Sequence, residues 1–280
     1  MKHPDKWRDT CDPFSLPYHC FEPLEILGYP HAGNDVFHVR GLYCKKDITA
    51  YIKVARQTSA AIQNEVTILS QLHSPITPTV VDYGFDDIPF SVTLELPGKR
   101  LSAILGEHEH MDSLTYLPEY GAALAKIHLM NLSSKDVVDR RFFHTPSFEM
   151  LEKTDLVFLK DYFSNPPEQK ERCFVHGDFH YANILWQGRH IRGILDFEMA
   201  GYGNRDFDIA WAIFLRPGQR FLKTEVEQEA FLKGYAEYGD CDLDAVRYYM
   251  AQCYVYFLQF SKEDREYCDY IRAWLRRTAG

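Results

Sequence analysis

No apolar run in this sequence approaches the ~18 residues that a membrane-spanning helix requires. The opening residues, Met-Lys-His-Pro-Asp-Lys-Trp-Arg-Asp, lack the apolar core of a secretion signal. Cysteine is scattered rather than paired: Cys11, Cys20, Cys44, Cys173, Cys241, Cys253 and Cys268 include no C-x-x-C and no compact framework. Reduced thiols and a cytoplasmic setting are therefore expected. Basic residues are in the minority, 31 against 40 acidic, for a net charge of −9. That argues against a nucleic-acid surface, which needs clustered Lys and Arg. It leans instead toward a cationic or neutral small partner. Internal repeats and low-complexity segments are also missing.

What remains is the composition of a globular protein, 46% hydrophobic and 25% charged over 280 residues. Residues 1–22 are polar and broken by Pro4, Pro13 and Pro17, which predicts an arm with little regular structure. From there to residue 96 the pattern is mainly β. Strands are expected at Leu24–Tyr29, Val36–Gly41, Ile48–Ala55, Thr79–Phe85 and Phe90–Leu96. One helix, Thr58–His73, carries Ile62, Val66, Leu69 and Leu72 on a single face. Beyond Pro97-Gly98 helical spacing takes over, in a segment ending near Met130 and in 147–163, 206–214, 224–238, 243–260 and 263–277. The chain thus reads as α+β, with a small β lobe over 23–96 and a larger helical lobe over 97–280.

The stretch Phe174-Val-His-Gly-Asp-Phe-His-Tyr-Ala-Asn-Ile-Leu-Trp186, followed by Gly193-Ile-Leu-Asp-Phe-Glu198, interrupts the helices. It sets Asp178, Asn183 and Asp196 at offsets of five and eighteen, each beside apolar residues. Phosphoryl transfer needs such a set: a group to orient or deprotonate the attacking hydroxyl, and oxygen ligands for Mg²⁺ on the nucleotide phosphates. Asp178 suits the first task, Asn183 and Asp196 the second. Taken singly, each has a bland reading as a turn or loop residue. His176 and His180 also allow a transition-metal cluster, but no second motif supplies further ligands, and His176 is read as a structural residue fixing the loop.

These motifs resemble the aminoglycoside phosphotransferase and choline-kinase-like branch of the protein kinase fold. His176-Gly-Asp-Phe-His-Tyr-Ala-Asn183 stands where the branch has H-G-D-x-H-x-x-N, and Ile194-Leu-Asp-Phe-Glu198 stands in place of D-F-G. Gly201-Tyr-Gly-Asn-Arg-Asp-Phe-Asp-Ile-Ala210 and Leu124-Ala-Lys-Ile-His128 match two further elements. The resemblance implies a bilobal kinase-like fold that uses ATP or GTP with Mg²⁺. It implies Lys53 as the strand lysine on the phosphates and Glu65 as its helix partner. Gly33 and Asn34 fall where a phosphate-covering loop belongs, although Gly28–Val36 is not G-x-G-x-x-G. Thr93-Leu-Glu-Leu-Pro-Gly98 resembles the hinge, with the Leu94 carbonyl and the Leu96 amide as nucleobase contacts because Pro97 has no N–H. Asp208 corresponds to the aspartate that braces the catalytic loop.

The acceptor implied is a small hydroxyl compound, aminoglycoside-like or another metabolite. Aromatics such as Tyr248, Tyr256, Phe257 and Trp274 could cage a quaternary ammonium, but their helical spacing fits core packing. Acids such as Asp240, Asp242, Asp244 and Asp264 could attract a polyamine, but a solvated surface reads equally well. Without D-F-G and A-P-E, peptide phosphorylation is disfavoured. Two rivals stay open: a catalytically idle kinase-like binding domain and a metal-dependent phosphohydrolase.

Overall fold

The computed structural model describes residues 9–30, 33–105, 113–168 and 172–279. Residues 1–8 of the expected arm and His31-Ala32 of the expected phosphate loop lie outside them. The remainder of the arm forms one 3-10 turn, Pro13–Ser15, capped by Asp12. It is then drawn onto the sheet: the amides of His19, Cys20 and Phe21 all donate to Asp82 Oδ2, at 2.8, 2.7 and 2.9 Å. Asp82 is buried, and these donors answer the cost of burying its carboxylate.

Strands β1 (Phe21–Gly28), β2 (Asp35–Tyr43) and β3 (Lys46–Val54) are followed by helix α1 (Ile62–Leu69), β4 (Val80–Gly84) and β5 (Phe90–Leu94). The five strands form one antiparallel sheet in the order β1-β2-β3-β5-β4. Strand period explains the position of the site. Ala50, Ile52 and Val54 of β3 are buried with Phe37, Val39, Phe90 and Val92 on one face. The opposite phase puts Lys53 and Tyr51 on the other face, toward a cleft.

The rest is mainly helical. After β6 (Lys99–Arg100) and the short α2 (Leu101–Leu105) come α3 (Leu117–His128), α4 (Phe148–Lys153) and α5 (Lys160–Phe163). The short strands β7 (Cys173–Val175), β8 (Ile184–Gln187), β9 (His190–Ile194) and β10 (Gly201–Gly203) carry the two polar loops between them. Helices α6 (Arg205–Ile213), α7 (Glu225–Tyr235), α8 (Leu243–Leu258) and α9 (Arg265–Ala279) complete the lobe around one large apolar core. Among the described residues, no helix is long and apolar enough to cross a membrane.

Two expected helices differ. The 147–163 segment is split into α4, a 3-10 turn and α5. Asp155 between them has φ 57°, a left-handed conformation that no helix continues. The helix expected from Thr58 begins only at Ile62, because the preceding residues fold back and the Ala61 amide is used elsewhere, as described below.

Helices α3 and α7 touch backbone to backbone through Gly121 and Gly234. A Cβ at Gly121 would collide with the Phe231 carbonyl, and one at Gly234 with the Pro118 carbonyl. Since backbone cannot yield as a flexible side chain can, Gly234→Ala is expected to lower stability by about 3 kcal/mol, the upper part of the overpacking range. Denaturant midpoints measure this, and an unchanged midpoint contradicts the packing described.

Candidate active site

Between the sheet and the helical lobe lies a cavity of about 460 Å³ lined by residues from both. Lys53, Gly33, Asn34, Glu65, Leu94, Leu96, Asp178, Asn183 and Asp196 all line it. The two remaining expected residues, His176 and Asp208, lie beneath it, fully or almost fully buried.

Lys53 is the centre of the cluster. Its Nζ is 2.7 Å from Glu65 Oε2, 2.9 Å from Asp196 Oδ1 and 3.7 Å from Glu198 Oε2. Burial alone would depress the ammonium, but Asp196, Glu65 and Glu198 outweigh it and hold Lys53 above its ordinary range. Burial, reinforced by Asp196 and Glu198, pushes Glu65 up despite its lysine partner. Asp196 is drawn below the usual carboxylate range because Lys53 overcomes the effect of burial. One cation among three carboxylates leaves the locus short of positive charge.

The His176–Asn183 segment is held by hydrogen bonds to its backbone amides. Asp208, in the first turn of α6, accepts from the His176 amide through Oδ2 and from the Gly177 amide through Oδ1, both at 3.0 Å. His128 Nε2 lies 3.1 Å from Asp208 Oδ2, and His128 Nδ1 lies 2.7 Å from the Tyr235 hydroxyl. His176 joins this loop to the next. Its Nδ1 accepts from the Asp178 amide at 3.3 Å, so its Nε2–H donates to the Leu195 carbonyl at 3.1 Å. Burial keeps His176 low and neutral, as those two partners require.

Asp178 is held at both ends. Trp211 Nε1 donates to Oδ1 at 2.9 Å, and Asn183 Nδ2 donates to the Asp178 carbonyl at 3.0 Å and lies 3.4 Å from Oδ2. With its amide nitrogen so engaged, Asn183 presents its oxygen as the free donor atom. Asp196 sits in the left-handed region, φ 67° and ψ 62°, an uncommon conformation for a residue other than glycine. The pair Asn183 Oδ1 and Asp196 carboxylate is an all-oxygen set suited to Mg²⁺, which takes one or two protein ligands and completes its shell with phosphates and water. Among the described residues, no group of three His, Cys, Asp or Glu side chains is placed to cage a metal.

Sequence reasoning missed Glu198 and Trp211. Glu198 Oε2 accepts from Asn34 Nδ2 and Oε1 from the Ala61 amide, both at 2.8 Å. It thereby ties the loop between β1 and β2, the start of α1 and the Asp196 segment together. Asp206 is buried and accepts from the Asp242 amide at 3.2 Å.

Residues 30–249 match the model of a family described as the phosphotransferase enzyme family. The chain belongs to that family. None of the curated proteins matches the sequence. Solved structures share the fold at low identity. The streptomycin–ATP ternary complex of APH(2")-IIa is 18% identical with a TM-score of 0.60, over 89% of this chain and 91% of that one. A thermostable mutant of aminoglycoside phosphotransferase APH(4)-Ia, in complex with ADP and hygromycin B, is 15% identical with a TM-score of 0.61, over 94% and 95%. Macrolide 2'-phosphotransferase MphH from Brachybacterium faecium is 14% identical with a TM-score of 0.56, over 91% and 92%. This phosphotransferase accordingly has the bilobal kinase-like fold expected from its motifs.

His180, two residues beyond Asp178, is held down to about 4, first by burial and then by the Arg216 charge. The sign follows directly. An unfolded histidine takes up a proton near its ordinary value of 6.5, whereas this one does so only near 4. Stability is therefore lost as pH falls through that window. His180→Gln, which cannot be protonated, is expected to show a smaller drop in Tm between pH 7 and pH 5 than the wild type. Equal drops would remove His180 from the acid sensitivity.

Proposed function

We propose that this phosphotransferase moves the γ-phosphoryl group of ATP to a hydroxyl of a small acceptor in an Mg²⁺-dependent reaction. The observation that carries the reading is the convergence of Lys53, Asp178, Asn183 and Asp196, from three separate segments, on one cavity. The ATP and ADP complexes of the similar structures support the choice of donor. GTP is the alternative, to be compared directly.

Lys53, steadied by Glu65, holds phosphate oxygens. Leu94 and Leu96 offer the hinge carbonyl and amide to the base, and the loop through Gly33 and Asn34 covers the triphosphate. Asn183 and Asp196 hold Mg²⁺, which when bound neutralises phosphate charge and strengthens the leaving group. Asp178 orients the acceptor hydroxyl and takes its proton. The hydroxyl oxygen bonds to the γ-phosphorus as the bond to the β–γ bridging oxygen breaks, and ADP leaves with that electron pair. Trp211 and Asn183 fix the Asp178 carboxylate, so its position precedes substrate binding. Seven scattered cysteines, with no C-x-x-C among them, fit a reducing cytoplasm as the place of action.

The test is transfer of labelled γ-phosphate from ATP and from GTP, with and without Mg²⁺. Asp178→Asn is expected to reduce transfer by about 10²–10⁴-fold, the usual worth of a positioned acid–base group, while nucleotide still binds. Loss of binding in step with activity would contradict that role. Asp196→Ala is expected to weaken nucleotide binding only when Mg²⁺ is present. Unchanged metal dependence would remove Asp196 as a ligand.

A further inference from the structure

The cleft contains a cation that the phosphoryl-transfer machinery does not use. Arg140 lines the same cavity as Asp178 and Met199. Its side chain forms no hydrogen bond and no ion pair among the described residues; its recorded contact is with the Phe142 ring, at 5.4 Å. The chain around it shows which end of the cavity it occupies. Phe142 stacks face to face on Trp211, with centroids 4.4 Å apart and planes at 9°. Trp211 in turn donates its indole N–H to Asp178. Arg140 is thereby held at the Asp178 end of the cleft and enters from the helical lobe, whereas Lys53 hangs from the sheet.

The four acids that the sequence offered for a polycation lie elsewhere. Asp240 pairs with Arg205 at 2.7 Å, and Asp244 lies 3.6 Å from Arg247. Asp242 caps α8, and Asp264 accepts from the Tyr267 amide in the first turns of α9. None of the four lines the cleft. A ligand group that meets Arg140 gains a planar, permanently charged fork suited to paired oxygens, and an ammonium group there meets repulsion.

We propose that the acceptor carries an anionic oxygen group, a phosphate or a carboxylate, which Arg140 holds while Asp178 addresses the hydroxyl. The inference rests on the kinase reading of the same site. It runs against the net charge of −9, because the acceptor meets the local arrangement and not the total.

The experiment offers matched acceptors with ATP and Mg²⁺: sugar phosphates, hydroxy acids, the corresponding neutral sugars, and aminoglycosides. ATP hydrolysis without acceptor is followed in parallel. Sugar phosphates or hydroxy acids are expected to be the preferred acceptors, and which of the two arms responds tells phosphate from carboxylate. Arg140→Gln is expected to raise the KM of that acceptor by about 10- to 100-fold, the worth of a charge-assisted pair. Arg140→Lys restores part of the loss, as a retained charge without the fork would. Preference for neutral or cationic acceptors overturns the proposal. So does an increase in the KM of ATP in place of the acceptor's, which would put Arg140 on the nucleotide. ATP hydrolysis without transfer to any anionic acceptor also overturns it, while leaving the kinase reading standing. Absence of both hydrolysis and transfer defeats the two together.

Discussion

The ammonium group of Lys53 is the point on which the two lobes are registered. It hangs from the middle of the sheet and is in contact with Glu65 on α1 and with Asp196 and Glu198 on the far loop. Three segments, the sheet, α1 and the Asp196–Glu198 loop, are thus fixed by one buried charge. Removing a partner from such a cluster leaves charge uncompensated in a poorly solvated place, and that is costly. The cluster is also incomplete by itself: three carboxylates share one cation.

A second network works in the same manner below the cleft. Tyr235, His128 and Asp208 form a buried chain that ends on two backbone amides of the Asp178 loop. Every member comes from a different element, so the loop geometry is imposed by the core of the helical lobe. His176 then passes that order to the Asp196 segment through the Leu195 carbonyl. Preorganisation of this kind places reacting groups before the ligand arrives.

Legibility in the sequence followed the distance along the chain. Asp178, Asn183 and Asp196 lie within nineteen residues of one another, and their spacing with short apolar strands between was readable directly. Lys53 and Glu65 were readable from order, since Glu65 is the only carboxylate between Lys53 and Asp82. Glu198 was not, because its partners Asn34 and Ala61 lie more than 130 residues away. Trp211 and Arg140 escaped for the same reason: an indole N–H aimed at Asp178 and a guanidinium without a counter-ion among the described residues are tertiary facts. The apolar spacing of 147–163 spoke for one helix, and the left-handed Asp155 within it left no periodic trace.

The central claim is that Lys53 and its carboxylates form a site for Mg²⁺ and nucleotide. Calorimetric titration of Mg²⁺–ATP into the wild type and into Lys53→Met tests it most directly. The account expects metal-dependent binding by the wild type, weakened at least about ten-fold in the variant, as loss of a charge-assisted contact would give. Equal affinity in the two proteins, or no binding by the wild type, would contradict it.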